Sequence, residues 1–251
     1  MNLGSVIAVR NNKTIYRDGG KCIKVFDAGF SKADVLNEAL NQARIEEVTE
    51  LNIPKVLEVS VIDGCWAITS EYIEGKTLAE LMKENPEKKK EYIEYLVDLQ
   101  MKVHSETCPL LNKLKDDMML NIAKTGFDAT TRYDLHTRLN DMPKHNKICH
   151  GDFDPTNVVI TEDGIPYILD WSHVTRGNAS ADIARTYLMF WLGGDISGAQ
   201  YYLDVFCKKS FTDKEYVERW MPLVAAAQSI KGDQREREFL MSWVNGDSYK
   251  M

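Results

Sequence analysis

The most constraining feature of this 251-residue chain is the run Cys149-His150-Gly151-Asp152-Phe153-Asp154-Pro155-Thr156-Asn157, followed by Tyr167-Ile168-Leu169-Asp170-Trp171. Four residues separate Asp152 from Asn157, and Asp170 closes a short apolar stretch eighteen positions after Asp152. The pattern sets two carboxylates and one amide around short apolar strands. Phosphoryl transfer needs such groups: a base beside a hydroxyl, and hard oxygen ligands for Mg²⁺ on the phosphates.

The spacing is that of the catalytic-loop template H-x-D-x-x-x-x-N, with a second metal-binding Asp further on. His150-Gly151-Asp152-Phe153-Asp154-Pro155-Thr156-Asn157 resembles the H-G-D-x-x-x-x-N signature of the aminoglycoside phosphotransferase and choline kinase superfamily of small-molecule kinases. Gly151 stands where most protein kinases carry Arg, and Asp170-Trp171-Ser172 replaces Asp-Phe-Gly. The resemblance runs from about Val6 to about Tyr187; the last sixty or so residues match no recognised pattern.

The resemblance implies an α+β, bilobal, protein kinase-like fold. A five-stranded antiparallel N-lobe is expected over residues 1–73 and a mainly helical C-lobe over 74–251. Asp152 is expected to deprotonate an acceptor hydroxyl, and Asn157 and Asp170 to hold Mg²⁺. Lys24, in the third predicted strand, matches the Lys that pairs the α- and β-phosphates, and Glu38 is its expected carboxylate partner on the following helix, with Glu46 and Glu47 as rivals. The segment Ile68–Gly75 resembles the family's linker. The Glu71 carbonyl and an amide at Tyr72 or Ile73 are expected to face the nucleotide base. The nucleotide is ATP, with GTP as an alternative. The acceptor is expected to be a small hydroxyl compound: an aminoglycoside, an amino alcohol or a related metabolite. A minimal protein kinase and a nucleotide-binding pseudokinase scaffold are the competing readings. The missing Gly-x-Gly-x-x-Gly and Ala-Pro-Glu speak against the first, and the intact Lys24, Asp152, Asn157 and Asp170 set against the second.

Composition limits the partners. Net charge is −7, with 31 Lys and Arg against 38 Asp and Glu, which argues against a nucleic-acid binder working by phosphate neutralisation. No apolar run reaches membrane-spanning length, and the N-terminus lacks the charged and apolar regions of a secretion signal. Five widely spaced cysteines without a Cys-x-x-Cys pair read as reduced thiols of a cytoplasmic protein. The sequence leaves the oligomeric state undetermined.

Periodicity fills in the elements. Ser5–Arg10, Thr14–Arg17 and Lys21–Phe26 read as a strand meander. A helix capped by Ser31 follows, with Val35, Leu36, Ala39, Leu40, Ala43 and Val48 as its expected apolar face. Lys55–Ser60 and Cys65–Tyr72 form a hairpin around Asp63-Gly64, and Gly75 is the expected hinge. Helices are expected at Thr77–Lys83, Glu87–Glu106, Arg132–Leu139, Asp182–Phe190, Ala199–Phe206, Asp213–Ile230 and Arg235–Val244. The acceptor floor is expected from Lys113–Asp141 and the C-terminal helices. Trp171, Trp191, Trp220 and Trp243 could cage a quaternary ammonium there, against the commoner role of Trp as core. His150, His104 and Asp182 read as structural supports. Asp154 has an even chance of touching the acceptor. Asn11, Asn12 and Lys13 are open to phosphate or to a plain turn.

Overall fold

A computed structural model of the chain describes residues 3–10 and 12–244, so Asn11 lies outside the described residues. The chain divides into two compact units. One comprises residues 1–84 and 155–173, the other 85–154 and 174–251. Instead of a single break after Ile73, the first unit reaches Glu84 and takes the later segment 155–173 as well. Strand pairing is the reason. The two-residue strand β6 (Lys76–Thr77) pairs with β8 (Val158–Ile160), which pairs in turn with β9 (Pro166–Ile168). Gly75 is part of this contact and not a hinge: a side chain there would meet the Ile160 carbonyl oxygen at 2.3 Å.

In the first unit, β1 (Ser5–Arg10), β2 (Lys13–Asp18), β3 (Lys21–Phe26), β4 (Val56–Ile62) and β5 (Cys65–Glu71) form one antiparallel sheet in the order β1-β2-β3-β5-β4. The helix α1 (Lys32–Val48) starts where expected, with the Asp34 amide donating to Ser31 Oγ at 3.3 Å. Its buried face differs from the expected one. Val35, Glu38, Ala39, Asn41, Gln42 and Ile45 point inward, while Leu36, Leu40 and Val48 are exposed. Val35 and Ala39 pack with Phe26 and Ile68 in a small core. Gln42 Nε2 donates to the Pro54 carbonyl. Glu38 and Gln42 in the stripe are thus spent on bonds that hydrophobic periodicity does not register. A short helix α2 (Leu78–Glu84) completes this unit's helices.

The second unit is helical, with one two-stranded ribbon of β7 (Lys147–Cys149) and β10 (Thr175–Gly177). Its helices are α3 (Lys89–Ser105), α4 (Leu114–Ala123), α5 (Ala129–Asp141), α6 (Ala179–Leu192), α7 (Ile196–Ser210), α8 (Lys214–Glu218), α9 (Met221–Gln228) and α10 (Gln234–Val244). The expected helix over 213–230 is two, because Pro222 lacks the N–H needed mid-helix and instead sits in the first turn of α9. α4 went unexpected. Only Met118 and Ile122 of its ten residues are buried, too sparse a stripe to read as a helix from sequence. Trp220 is wholly buried and Trp243 nearly so, and Trp243 meets Trp191 edge-on at 5.6 Å. These rings are core; they form no ammonium cage. In the first unit Trp171 is likewise wholly buried, its Nε1 donating to the Ile168 carbonyl.

Candidate active site

The candidate residues form two constellations, one in each unit. In the first, Lys24 on β3 points its ammonium at both Glu38 Oε1 (2.8 Å) and Asp170 Oδ1 (3.1 Å). Glu38 reaches it because it lies one turn along α1 from Val35, on the buried stripe. Of the rivals, Glu46 instead accepts from the Val56 amide. Asp170 comes two residues after the end of β9 and has φ of +56°. Asp tolerates that left-handed conformation better than most residues, and the bend throws its carboxylate toward the sheet.

The sheet supplies a second cation, Lys13. In the β2–β3 register Ile15 lies opposite Lys24, and Lys13, two residues away, shares the face of Ile15. Its ammonium is 3.5 Å from Glu38 Oε1 and 3.6 Å from Asp170 Oδ2, and lies over the Phe26 ring. Two ammonium groups therefore share two carboxylates. Burial opposes the charge on Lys24, but Asp170 and Glu38 outweigh it and hold its pKa above the ordinary value. Burial likewise opposes the Asp170 charge, and Lys24 followed by Lys13 carries its pKa far below the ordinary carboxylate value. Both shifts favour the charged forms of Lys24 and Asp170, which are poised to exchange partners with a charged ligand.

Asn157 ends a short 3₁₀ turn, Pro155–Asn157, immediately before β8. The Leu169 amide donates to the Asn157 carbonyl at 2.8 Å, and Val158 pairs with Ile168. The hairpin thereby sets Asn157 beside the residue that precedes Asp170. One carboxylate and one amide on adjacent strand ends form a donor set suited to Mg²⁺, which takes few protein ligands and completes its octahedron with phosphate and water.

At the end of β5, the Tyr72 amide donates to the Gly20 carbonyl at 2.8 Å, and Arg17 stacks on the Tyr72 ring. That amide is spent within the sheet. Of the two amides expected to face a base, only that of Ile73 has no such partner in the sheet.

The second constellation surrounds Asp152. Asp182, near the start of α6, is buried and accepts from the backbone amides of His150 (3.1 Å) and Gly151 (2.7 Å), from Gln100 Nε2 (3.0 Å), and pairs with His104 Nε2 (2.9 Å). Gly151 has φ of +82°, which a residue with a side chain adopts only under strain. Burial raises the Asp182 pKa, but the His104 and Gln100 bonds outweigh that and leave it lowered. His150 is wholly buried, with Nδ1 accepting from the Asp152 amide. Both histidines and Asp182 thus support the backbone, as the sequence suggested. Asp152 itself is partly exposed, with Oδ1 3.7 Å from Arg185 Nη2. Sequence reasoning missed Arg185, although its place three residues after Asp182 puts it near one helical turn away.

This support predicts a sharp loss. Asp182→Asn should lower unfolding stability by roughly 3–5 kcal/mol, because it strips the anion from a buried hydrogen-bonded pair. The lowered pKa also sets the sign of the pH dependence. The Asp182 contribution is present above the ordinary carboxylate value of 3.8 and is lost as pH falls below it. Denaturant titrations from pH 7 to 3 should therefore show a shallower acid decline in Asp182→Asn than in the parent protein. An equal decline in both would place the acid sensitivity elsewhere.

The comparisons agree with this geometry. A sequence model of the phosphotransferase enzyme family matches residues 22–216. The chain belongs to the phosphotransferase enzyme family. This is the small-molecule kinase superfamily that the catalytic-loop signature resembles, and the α+β kinase-like fold expected from it stands. Searches of solved structures find the same fold at low identity. A thermostable mutant of aminoglycoside phosphotransferase APH(4)-Ia, in ternary complex with AMP-PNP and hygromycin B, aligns with a TM-score of 0.70 and 15% identity over 96% of this chain and 91% of that one. Choline kinase LicA from Streptococcus pneumoniae aligns with a TM-score of 0.63 and 14% identity, covering 97% and 92%. The GDP complex of a mutant aminoglycoside 2'-phosphotransferase-IIIa gives 0.64 and 14%, covering 98% and 91%. No curated protein matches the sequence significantly. Among the described residues, no helix is long and apolar enough to cross a membrane.

Proposed function

We propose that this phosphotransferase moves the γ-phosphate of ATP, with Mg²⁺, to a hydroxyl of a small molecule. The observation that carries the reading is the Lys24 ammonium held between Glu38 and Asp170 at 2.8 and 3.1 Å. A lysine needed only for folding gains nothing from a second carboxylate that burial penalises. A lysine that must meet phosphate while its neighbour meets a cation needs both.

In this reading Lys24 and Lys13 bind the nucleotide phosphates and cancel their charge, while Glu38 fixes the direction of Lys24. Mg²⁺, held by Asn157 and Asp170, would supply charge neutralisation at the phosphate oxygens. Asp152 orients the acceptor hydroxyl and takes its proton. Catalysis is then mostly positioning and charge stabilisation. The Glu71 carbonyl and the Ile73 amide read the base edge. ATP is favoured over GTP by the AMP-PNP bound to one structural neighbour, while the GDP bound to another keeps a guanine nucleotide in the test. The segment between Trp171 and Gly177 is too short for a peptide-docking activation loop, so a small acceptor is favoured over a protein. Five free cysteines, two of them buried, favour the reducing cytoplasm.

The test is ADP release by the purified protein with ATP or GTP and Mg²⁺, across sugars, amino alcohols, aminoglycosides, hydroxy acids and nucleosides. Acceptor-dependent release with at least one small hydroxyl compound is expected. Phosphorylation of intact proteins and of no small molecule would overturn the reading.

The lysine and its partner should also behave as one unit. Lys24→Ala and Glu38→Ala should each cut kcat/KM severely. The double variant should cost less than the sum by about 1–3 kcal/mol of coupling. Strict additivity in a double-mutant cycle would remove Glu38 from the role.

A further inference from the structure

The surroundings of Asp152 in the helical unit bear on the acceptor. Arg185 rises from α6 with its side chain 14% exposed. Its only ion pair among the described residues is the long 3.7 Å contact with Asp152, and its buried Nε and Nη1 have no hydrogen-bond partner there. A guanidinium has five N–H donors in a planar fork shaped for carboxylate or phosphate, and donors left unpaired in a buried place are costly. This arginine is therefore neither locked onto Asp152 nor satisfied by the protein.

A second cation is electrostatically coupled to it. Lys231, in the turn that follows α9, is exposed as a residue, yet its ammonium feels both Arg185 and Asp152. Lost hydration and then the Arg185 charge push its pKa down, against Asp152 and Asp117, which push it up. Burial, and then Asp116, raise the pKa of Asp117 on α4. Beside the base, then, stand a guanidinium with spare donors, 3.7 Å from Asp152, and a lysine coupled to both. An oxyanion there would give the guanidinium the partner that the protein does not. A polycationic acceptor would meet the same two charges on its way to Asp152.

We propose that the acceptor carries an anionic group, a carboxylate or a phosphate, beside its reactive hydroxyl, and that Arg185 and Lys231 receive that group next to Asp152. The inference rests on the kinase reading above and narrows it to hydroxy acids and phosphorylated polyols or sugars. The reaction balances as an ordinary phosphoryl transfer. The hydroxyl oxygen forms the new P–O bond, the bond to the departing ADP oxygen breaks, and the hydroxyl proton goes to Asp152.

The test compares matched acceptors under identical Mg²⁺ and ATP: gluconate and glucose 6-phosphate against glucose, glycerate and glycerol 3-phosphate against glycerol, with choline and kanamycin as cationic arms. At least one anionic member should exceed its neutral counterpart in kcat/KM by a hundredfold or so, and the two anion types separate a carboxylate from a phosphate specificity. Arg185→Gln and Lys231→Gln should each raise KM for that acceptor roughly tenfold to a hundredfold, as loss of a charge-assisted bond implies, with kcat changed far less. Lys231→Arg should restore most of the affinity. A purely structural Arg185 would instead lower kcat or stability and leave the preference for anions intact. Calorimetry of gluconate and glucose 6-phosphate without nucleotide reads the site independently of turnover. Binding lost in both Gln variants supports it even if no acceptor reacts. Turnover confined to neutral or cationic acceptors, with KM unmoved in the variants, overturns this inference and leaves the kinase reading standing. Neither turnover nor binding with any compound overturns both.

Discussion

Asp152→Asn should lower kcat by about 10²–10⁴-fold while MgATP affinity stays within a few-fold of the parent. The amide keeps the shape of the carboxylate but cannot take the acceptor's proton. The backbone that aims it does not depend on its charge: its amide donates to His150 Nδ1, and the His150 and Gly151 amides are held by Asp182. Stability should change little, because its ion pair with Arg185, at 3.7 Å, is long and partly exposed. Stopped-flow or steady-state turnover together with nucleotide calorimetry separates the outcomes. Near-parental turnover would remove Asp152 from proton transfer. Lost nucleotide affinity would mean that the substitution disturbs more than the base.

How much of this was legible beforehand differs between residues, for physical reasons. The Asp152, Asn157 and Asp170 candidates came from spacing, because a loop between short strands leaves few ways to present two carboxylates and an amide. Lys24 and Glu38 were found from strand order and helix position, and the structure brings them to 2.8 Å. Lys13 was named only as an alternative to a plain turn. Its role depends on the β2–β3 register, which places it on the Lys24 face and which no local pattern reveals. The α1 face was misjudged because Glu38, Asn41 and Gln42 are buried polar residues, and an apolar stripe drawn through Leu36 and Leu40 cannot anticipate them. Arg185 and Lys231 escaped for a different reason. Each looks like an ordinary charged residue in a helix or turn until folding brings both toward Asp152 from segments far apart in sequence. Spacing identifies chemistry that lies within one loop. Groups that meet from several helices and turns are visible only once the chain is folded.

The second large effect concerns Asp170, and the choice of substitution matters. Asp170 has φ of +56°, a left-handed conformation that Asn accepts and Ala resists by about 1–2 kcal/mol. Asp170→Asn therefore removes the charge with least damage to the backbone. Two consequences follow with opposite signs. Without the carboxylate the metal site keeps only the amide of Asn157 and one neutral oxygen, so MgATP affinity should fall by about a hundredfold, with turnover falling further. The same change frees Lys24 and Lys13, which now share only Glu38 (2.8 and 3.5 Å), so the affinity for ATP in chelator without Mg²⁺ should hold or rise. The parent protein should bind MgATP far better than free ATP, and the variant should lose or reverse that preference. Calorimetry of both ligands against both proteins reads the crossing directly. Asp170→Ala should show the same loss of Mg²⁺ dependence with an added stability penalty from the strained φ. If Asp170→Asn weakened both ligands equally, its carboxylate would act by holding Lys24 in place and not by meeting the metal.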